Sequence, residues 1–370
     1  MALLHLALSG RPAQDFIALT VDHGLRPEAR DEARDVKARC SALGVRHETL
    51  VWAPSGGPVS QARARRGRHQ LLATALRQAG GTHLLLGHTL DDQYETLWMR
   101  RQRSEAGLAG MRSVSVSPVW PEGRGVFLGR PLLAARRSEL RDVLRAASEI
   151  WVEDPSNLDL KFERVRAREA LAAESPGGLE AVHQQYCEAV AQRQRCDRRL
   201  VEWFDRHVEA YEDGLVVCET GGLDASDLAA GLGHLILAAS GTDRPAGFSA
   251  RLELAEDMLG NRRGWRSRTL GGAWLAPRQG RIHIARDPGL IPDRLDRALP
   301  YIWDGRFEIQ ARGEEGVDSG AKAAGFAVFP LAKPSFPQFL HKNETMTCLV
   351  PERLDSVKWI LGHETCGYAC

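Results

Sequence analysis

The first third of this sequence predicts an α/β fold built on a parallel sheet; a mainly helical domain and a small β-containing C-terminal region are expected after it. Three observations carry the expectation. Short apolar and β-branched runs, "FIALTVD" (16–22), "VRHETLVW" (45–52) and "THLLLGH" (82–88), alternate with helical stretches. That spacing belongs to βαβ units, whose parallel sheets are covered on both faces. Ionisable residues also gather where the runs end, which is where ligands sit in such sheets.

In order along the chain, "MALLHLAL" has helical character, and "EARDEARDVKARCSAL" (28–43) is an amphipathic helix between the first two strands. A loop rich in Pro and Gly leads to a basic helix from about Ser60 to Ala79, and a further helix runs from Asp91 to Arg103 after the third strand. From about Leu133 the pattern turns helical: 138–150, 160–173, and a long helix from Leu179 to about Tyr211, with a Pro and Asn turn at 151–159. Residues 214–240 read as a strand then a helix, and 266–287 as a β-meander. The expected borders are 1–135, 136–290 and 291–370, the last with weak strand signals among many Gly and Pro.

Apolar residues make up 43% and charged residues 26% of the 370, the balance of an ordinary globular chain rather than a disordered one. The net charge is only +1, so any nucleic-acid footprint must be local. Basic stripes at 63–70, 99–103 and 193–199 supply Arg63, Arg65, Arg66, Arg100, Arg103, Arg193 and Arg195 as candidates for a phosphate backbone; solvated helix faces are the plainer account. The seven cysteines form no CxxC pair, which fits a reducing cytoplasm. Cys366 and Cys370 beside His363 and Glu364 are too thin a cluster to assign a metal. No membrane span and no signal peptide are expected.

The chemistry concentrates in "LLLGHTLDDQYETLWMR" (84–100). Asp22 and His23 end the first strand, His88 ends the third, and Asp92 and Glu95 follow on the next helix. At positions i and i+3 these carboxylates share a face, so residues from separate strands converge on one crevice. Any one of them alone would be read as a helix cap or a solvated acid. Together they read as a site.

"GHTLDDQYET" resembles the GHxxDDQxET signature of the tRNA(Ile)-lysidine synthetases, which belong to the PP-loop ATP pyrophosphatase group. "TVDHGLRPEARDEA", "GLAGM" (107–111), "RPLL", "EDPSN" and "FERVRAREAL" follow that family's order from Met1 to about Leu171. The resemblance implies an adenine nucleotide alpha hydrolase-like sheet and an enzyme that uses ATP, with Mg²⁺, to attach lysine to C2 of the wobble cytidine of tRNA(Ile) with a CAU anticodon. It implies His88, Asp92 and Glu95 at the lysine and cytidine end, with Asp22, His23 and Arg164 toward the nucleotide. A homodimer is allowed for.

The sequence also departs from that family. Its phosphate loop, SGGxDS, belongs before "MALLHLAL", so the sheet is expected to miss its first strand and translation to start upstream. "SGGPVS" (55–60) lacks the Asp and falls one strand and helix too late to replace it. The spacer before "GLAGM" is short, and His69 stands where the family has Tyr. Two alternatives remain: an inactive tRNA-binding remnant, and another PP-loop tRNA-modifying enzyme such as a thiolase, for which paired cysteines are missing.

Overall fold

The computed structural model describes residues 1–22, 24, 29–54, 56–58, 60–103, 109–151, 159–260, 265–291, 301–304, 306–311 and 344–363. The chain divides into two compact units, Met1–Arg195 and Cys196–Gly362. The expected borders at 135 and 290 do not coincide with this division, which falls inside one long helix.

Unit one begins with α1 (Ala2–Gly10), β1 (Ile17–Asp22), α2 (Ala29–Ala42), β2 (Arg46–Val51) and α3 (Gln61–Gln78). It continues with β3 (His83–Leu85), α4 (Leu90–Gln102), β4 (Val114–Val116), β5 (Phe127–Gly129), α5 (Arg137–Ala146), α6 (Glu163–Ala172) and α7 (Pro176–His207). β1 pairs with β2 in parallel, Ile17 opposite Arg46 through Asp22 opposite Val51. β3 pairs in parallel with β5, and β4 runs antiparallel to β5, in a second sheet of order β3-β5-β4. The parallel pairs thus lie in two sheets.

One helix serves both. Leu72, Ala73 and Leu76 of α3 form a buried cluster with Leu84, Val119, Val126 and Leu128, against which Ile17, Leu19, Val21 and Leu50 pack half-buried. The apolar positions of α3 lie on a single face, so burying that face ties both sheets to this one helix. Leu85 remains 39% exposed despite lying in a parallel strand.

Unit two is built on an antiparallel sheet of order β6-β7-β10-β9-β8. Its strands are β6 (Val208–Ala210), β7 (Val216–Cys218), β8 (Arg268–Leu270), β9 (Ala273–Arg278) and β10 (Arg281–Arg286). The last three are the expected meander. The long helix stops at His207, short of the expected Tyr211, because residues 208–210 pair with β7. α8 (Ala225–Ser240) and α9 (Phe248–Leu259) cover the sheet, with Leu228, Leu232, Leu235 and Ile236 fully buried.

The region after 290 also contributes structure. β11 (Tyr301–Trp303), β12 (Phe307–Ala311) and β13 (Glu344–Cys348) form an antiparallel sheet. α10 (Val350–His363) sends Val350, Leu354, Val357 and Leu361 into the same core as α8. Cys366, Cys370 and Glu364 lie outside the described residues.

Candidate active site

The site is organised by the first turn of α4. The cap is Thr89, and the helix starts at Leu90, one residue before the expected start. The Thr89 hydroxyl accepts from the Asp92 amide at 3.4 Å, while the Thr89 amide and hydroxyl each donate to Asp92 Oδ2 at 2.8 Å. A capping box normally carries Glu or Gln at this position; the shorter Asp closes the same ring. Closing it fixes the Asp92 side chain and leaves Oδ1 for other partners.

Gln93, fully buried, anchors the same turn to the segment around Met111. It accepts from the Met111 amide at 2.7 Å and donates to the Met111 carbonyl at 2.9 Å. Gly110 between them has a φ of 65°, and a Cβ there would lie 2.4 Å from Gln93 Oε1. The Gln of the first motif and the Gly-Met of the next are therefore one structural device.

Around the carboxylates stands a ring of arginines. Asp91 pairs with Arg136 at 3.1 Å and accepts from the Arg137 amide at 2.7 Å. Asp92 Oδ1 lies 3.2 Å from Arg164 and 3.5 Å from Arg137. Glu95, only 1% exposed, meets Arg168 Nε at 3.0 Å and Arg137 at 3.4 Å through Oε1. Its Oε2 is buried with no hydrogen-bond partner, 3.9 Å from Arg164. Burial of a carboxylate requires pairing of this kind, since an isolated charge would cost several kcal/mol.

Sequence reasoning reached Asp92, Glu95 and Arg164 but missed Arg136, Arg137 and Arg168. Arg168 had a readable signal. It follows Arg164 by four positions in α6 and so shares its face. Arg136 and Arg137 had none, because they reach α4 only through the fold.

His88 lies just before this turn, with a buried Nδ1 that has no hydrogen-bond partner. Burial lowers its pKa to about 4; Asp92 opposes the shift, while Arg130, Arg164 and Arg65 add to it. The ring is therefore neutral near pH 7. Asp22, 6% exposed at the end of β1, accepts from the Gly24 amide at 2.8 Å. No hydrogen bond or ion pair joins it to the arginine ring among the described residues, and His23 lies outside them.

The arginines of the basic stripes divide. Arg63 donates to the Gly56 carbonyl at 2.6 Å, Arg100 to that of Gly110 at 3.2 Å and Arg193 to that of Ala109 at 2.9 Å. Arg103 pairs with Glu163. Arg66 is half-buried, while Arg65 and Arg195 are exposed. The stripes are thus partly structural.

The donor set around these carboxylates does not suit Mg²⁺. No group of three or more His, Cys, Asp or Glu side chains is placed to hold a metal among the described residues, and Asp91, Asp92 and Glu95 are each engaged by guanidinium. A metal cage made by the protein does not fit here. Among the described residues no helix is long and apolar enough to cross a membrane.

Comparison with known proteins defines the class first: a family model described as a PP-loop domain matches residues 1–175, so unit one carries a PP-loop ATP-binding domain. The tRNA(Ile)-lysidine synthase of Hyphomonas neptunium is 39% identical over 296 residues, covering 79% of this chain and 80% of that protein. Those of Ruegeria pomeroyi and Caulobacter vibrioides are 35% and 34% identical, each covering 88% of this chain, and 77% and 76% of their own lengths. The chain belongs to the tRNA(Ile)-lysidine synthase family, whose members are ATP-using ligases of the PP-loop class. The resemblance read from the motifs is thereby borne out.

Proposed function

We propose that this chain joins lysine to C2 of the wobble cytidine of tRNA(Ile) with a CAU anticodon, consuming ATP and releasing AMP and pyrophosphate, in the bacterial cytoplasm. The product, lysidine, changes codon reading from AUG to AUA. The observation that carries the reading is Glu95: a buried carboxylate with one oxygen unmet, beside Asp92 and Arg164, at the mouth of β3. Such an oxygen is an acceptor in waiting for an ammonium.

The chemistry divides into two displacements. The C2 carbonyl oxygen of cytosine is a poor leaving group, so it first attacks the α-phosphorus of ATP and expels pyrophosphate. The lysine ε-amine then adds at C2, and AMP departs with that oxygen. Asp92 and Glu95 hold the incoming amine and take up its proton, with His88 beside them at the lysine and cytidine end. Arg164, with its guanidinium 39% exposed, is suited to exchange its carboxylate partners for phosphate oxygens as charge builds there. Asp22 and His23 serve the nucleotide, and Arg63, Arg65, Arg66, Arg100, Arg103, Arg193 and Arg195 lie toward the tRNA. Mg²⁺ would arrive with the ATP phosphates, and no step is routed through a protein-held ion.

The test is direct. The purified chain is incubated with ATP, lysine and a tRNA(Ile) transcript bearing CAU, and the digested nucleosides are read by mass spectrometry. Lysidine with stoichiometric AMP supports the reading, and its loss in Glu95→Gln ties it to this site. A folded chain that binds the transcript but forms neither product would overturn it. Sedimentation of the same preparation decides the homodimer.

A further inference from the structure

Two imidazoles stand unmet where α3 packs on β3 and β5. His69 of α3 is 7% exposed and its Nδ1 has no hydrogen-bond partner; His88, after β3, has a buried Nδ1 in the same condition. Each ring feels the other's neighbourhood: Arg65 and Arg130 act on both, Arg68 acts on His69, Arg164 on His88, and His88 itself on His69. Arg130, 8% exposed beyond β5, is fixed by its bonds to the Arg112 carbonyl at 2.8 Å and Ser115 Oγ at 3.0 Å. Asp92 is the carboxylate that acts on His88.

Positive charge therefore converges on two ring nitrogens that make no hydrogen bond. In a neutral imidazole the unmet nitrogen either donates or accepts, according to tautomer. Apolar packing does not use it. An anion with several oxygens satisfies both demands at once, taking ring N–H groups as donors and relieving the repulsion among the guanidinium groups.

We propose that His69 and His88, together with Arg65 and Arg130, form a phosphate-binding subsite on unit one. It deepens the function proposed above and rests on it for its source: the pyrophosphoryl part of the nucleotide, or a backbone phosphate of the tRNA. Binding an anion stabilises the imidazolium forms, so their pKa values rise from about 4 and each site takes up protons as it fills. The subsite strengthens as pH falls toward the raised values, by at most about tenfold per pH unit for each histidine.

The probes are inorganic pyrophosphate, followed by titration calorimetry at pH 7.5 and pH 6 in the full chain, and an anticodon stem-loop RNA, followed by filter binding. The variants are Arg65→Gln, at an exposed position that leaves the fold intact, and His69→Phe, which keeps a ring but removes its nitrogens; circular dichroism checks both. For a nucleotide-derived phosphate, pyrophosphate binds about tenfold weaker to each variant, and His69→Phe shrinks the gain at pH 6. For a tRNA phosphate, the stem-loop weakens by that factor and pyrophosphate does not. The proposal is overturned if neither probe binds, or if both bind wild type and variants alike. A chain that makes no lysidine yet shows the pyrophosphate losses refutes the proposed ligation and leaves the subsite standing.

Discussion

Arg168 Nε stands 3.0 Å from Glu95 Oε1, joining α6 to α4 across a separation of 73 positions in sequence. Glu95 is almost fully buried, whereas Arg168 keeps 35% of its side-chain exposure. The pair is therefore asymmetric: the carboxylate depends on the guanidinium groups around it more than they depend on it.

Replacing Glu95 by Gln keeps the shape and removes the charge. Ligation should fall by about a hundredfold or more, as when a group handling a proton in the transition state is lost. Glu95→Ala should in addition destabilise unit one by about 3 kcal/mol, because Arg137 and Arg168 then face each other without a shared carboxylate. Urea unfolding checks the second statement and product formation the first. A Glu95→Gln chain with wild-type turnover would remove Glu95 from the chemistry.

Thr89→Ala opens the ring that fixes Asp92. The expected cost is about 1 kcal/mol in stability from the lost cap, but a larger effect on turnover, since Asp92 then rotates between Arg137 and Arg164. Thr89→Ser retains the hydroxyl and should restore both. Equal loss in the Ser and Ala variants would show that the methyl group, packed at a position 4% exposed, is what matters.

These relationships show what was legible in the sequence and what was not. β1 and β2 were readable because each is a six-residue run set between helical stretches, and α4 because its charges sit at helical spacing. β4 and β5, with three residues each, are too short to display any period, yet β5 supplies the parallel partner of β3. α10 hid behind a long stretch rich in Gly and Pro, although its residues at 350, 354, 357 and 361 have clean helical spacing. At the site, acids could be found as a cluster because one helix turn carries them. Their arginine partners come from α5 and α6, so only the folded chain brings them near.

Acid should weaken the fold through His69. Its pKa falls from 6.5 to about 4, first by burial and then by Arg65, Arg68, Arg130 and His88. A histidine with a depressed folded value binds its proton in the unfolded chain first, so its contribution is fully present above pH 6.5 and is lost as pH falls from there toward 4. The full loss is about 3 kcal/mol. Wild type and His69→Phe should differ in the slope of unfolding free energy between pH 6.5 and 4.5, with the variant flatter. Parallel slopes would mean that the imidazole is protonated at no cost.

The arginines of the basic stripes predict different kinds of failure. Arg193 holds the Ala109 carbonyl at 2.9 Å, next to the Gly110 and Met111 turn gripped by Gln93, so Arg193→Gln should lower thermal stability and disturb α4. Arg65 and Arg195 are exposed, and their loss should change the unfolding free energy by no more than about 0.5 kcal/mol. What each should lose is tRNA affinity that depends on salt: the slope of log K against log salt becomes shallower by about 0.7 to 0.9 for each phosphate contact removed. Measuring both quantities on all three variants separates the roles. Arg195→Gln with an unchanged salt slope would show that its part of α7 does not meet the RNA, and that the stripe at 193–199 serves the fold, through Arg193 on the Ala109 carbonyl and Arg199 on Asp227.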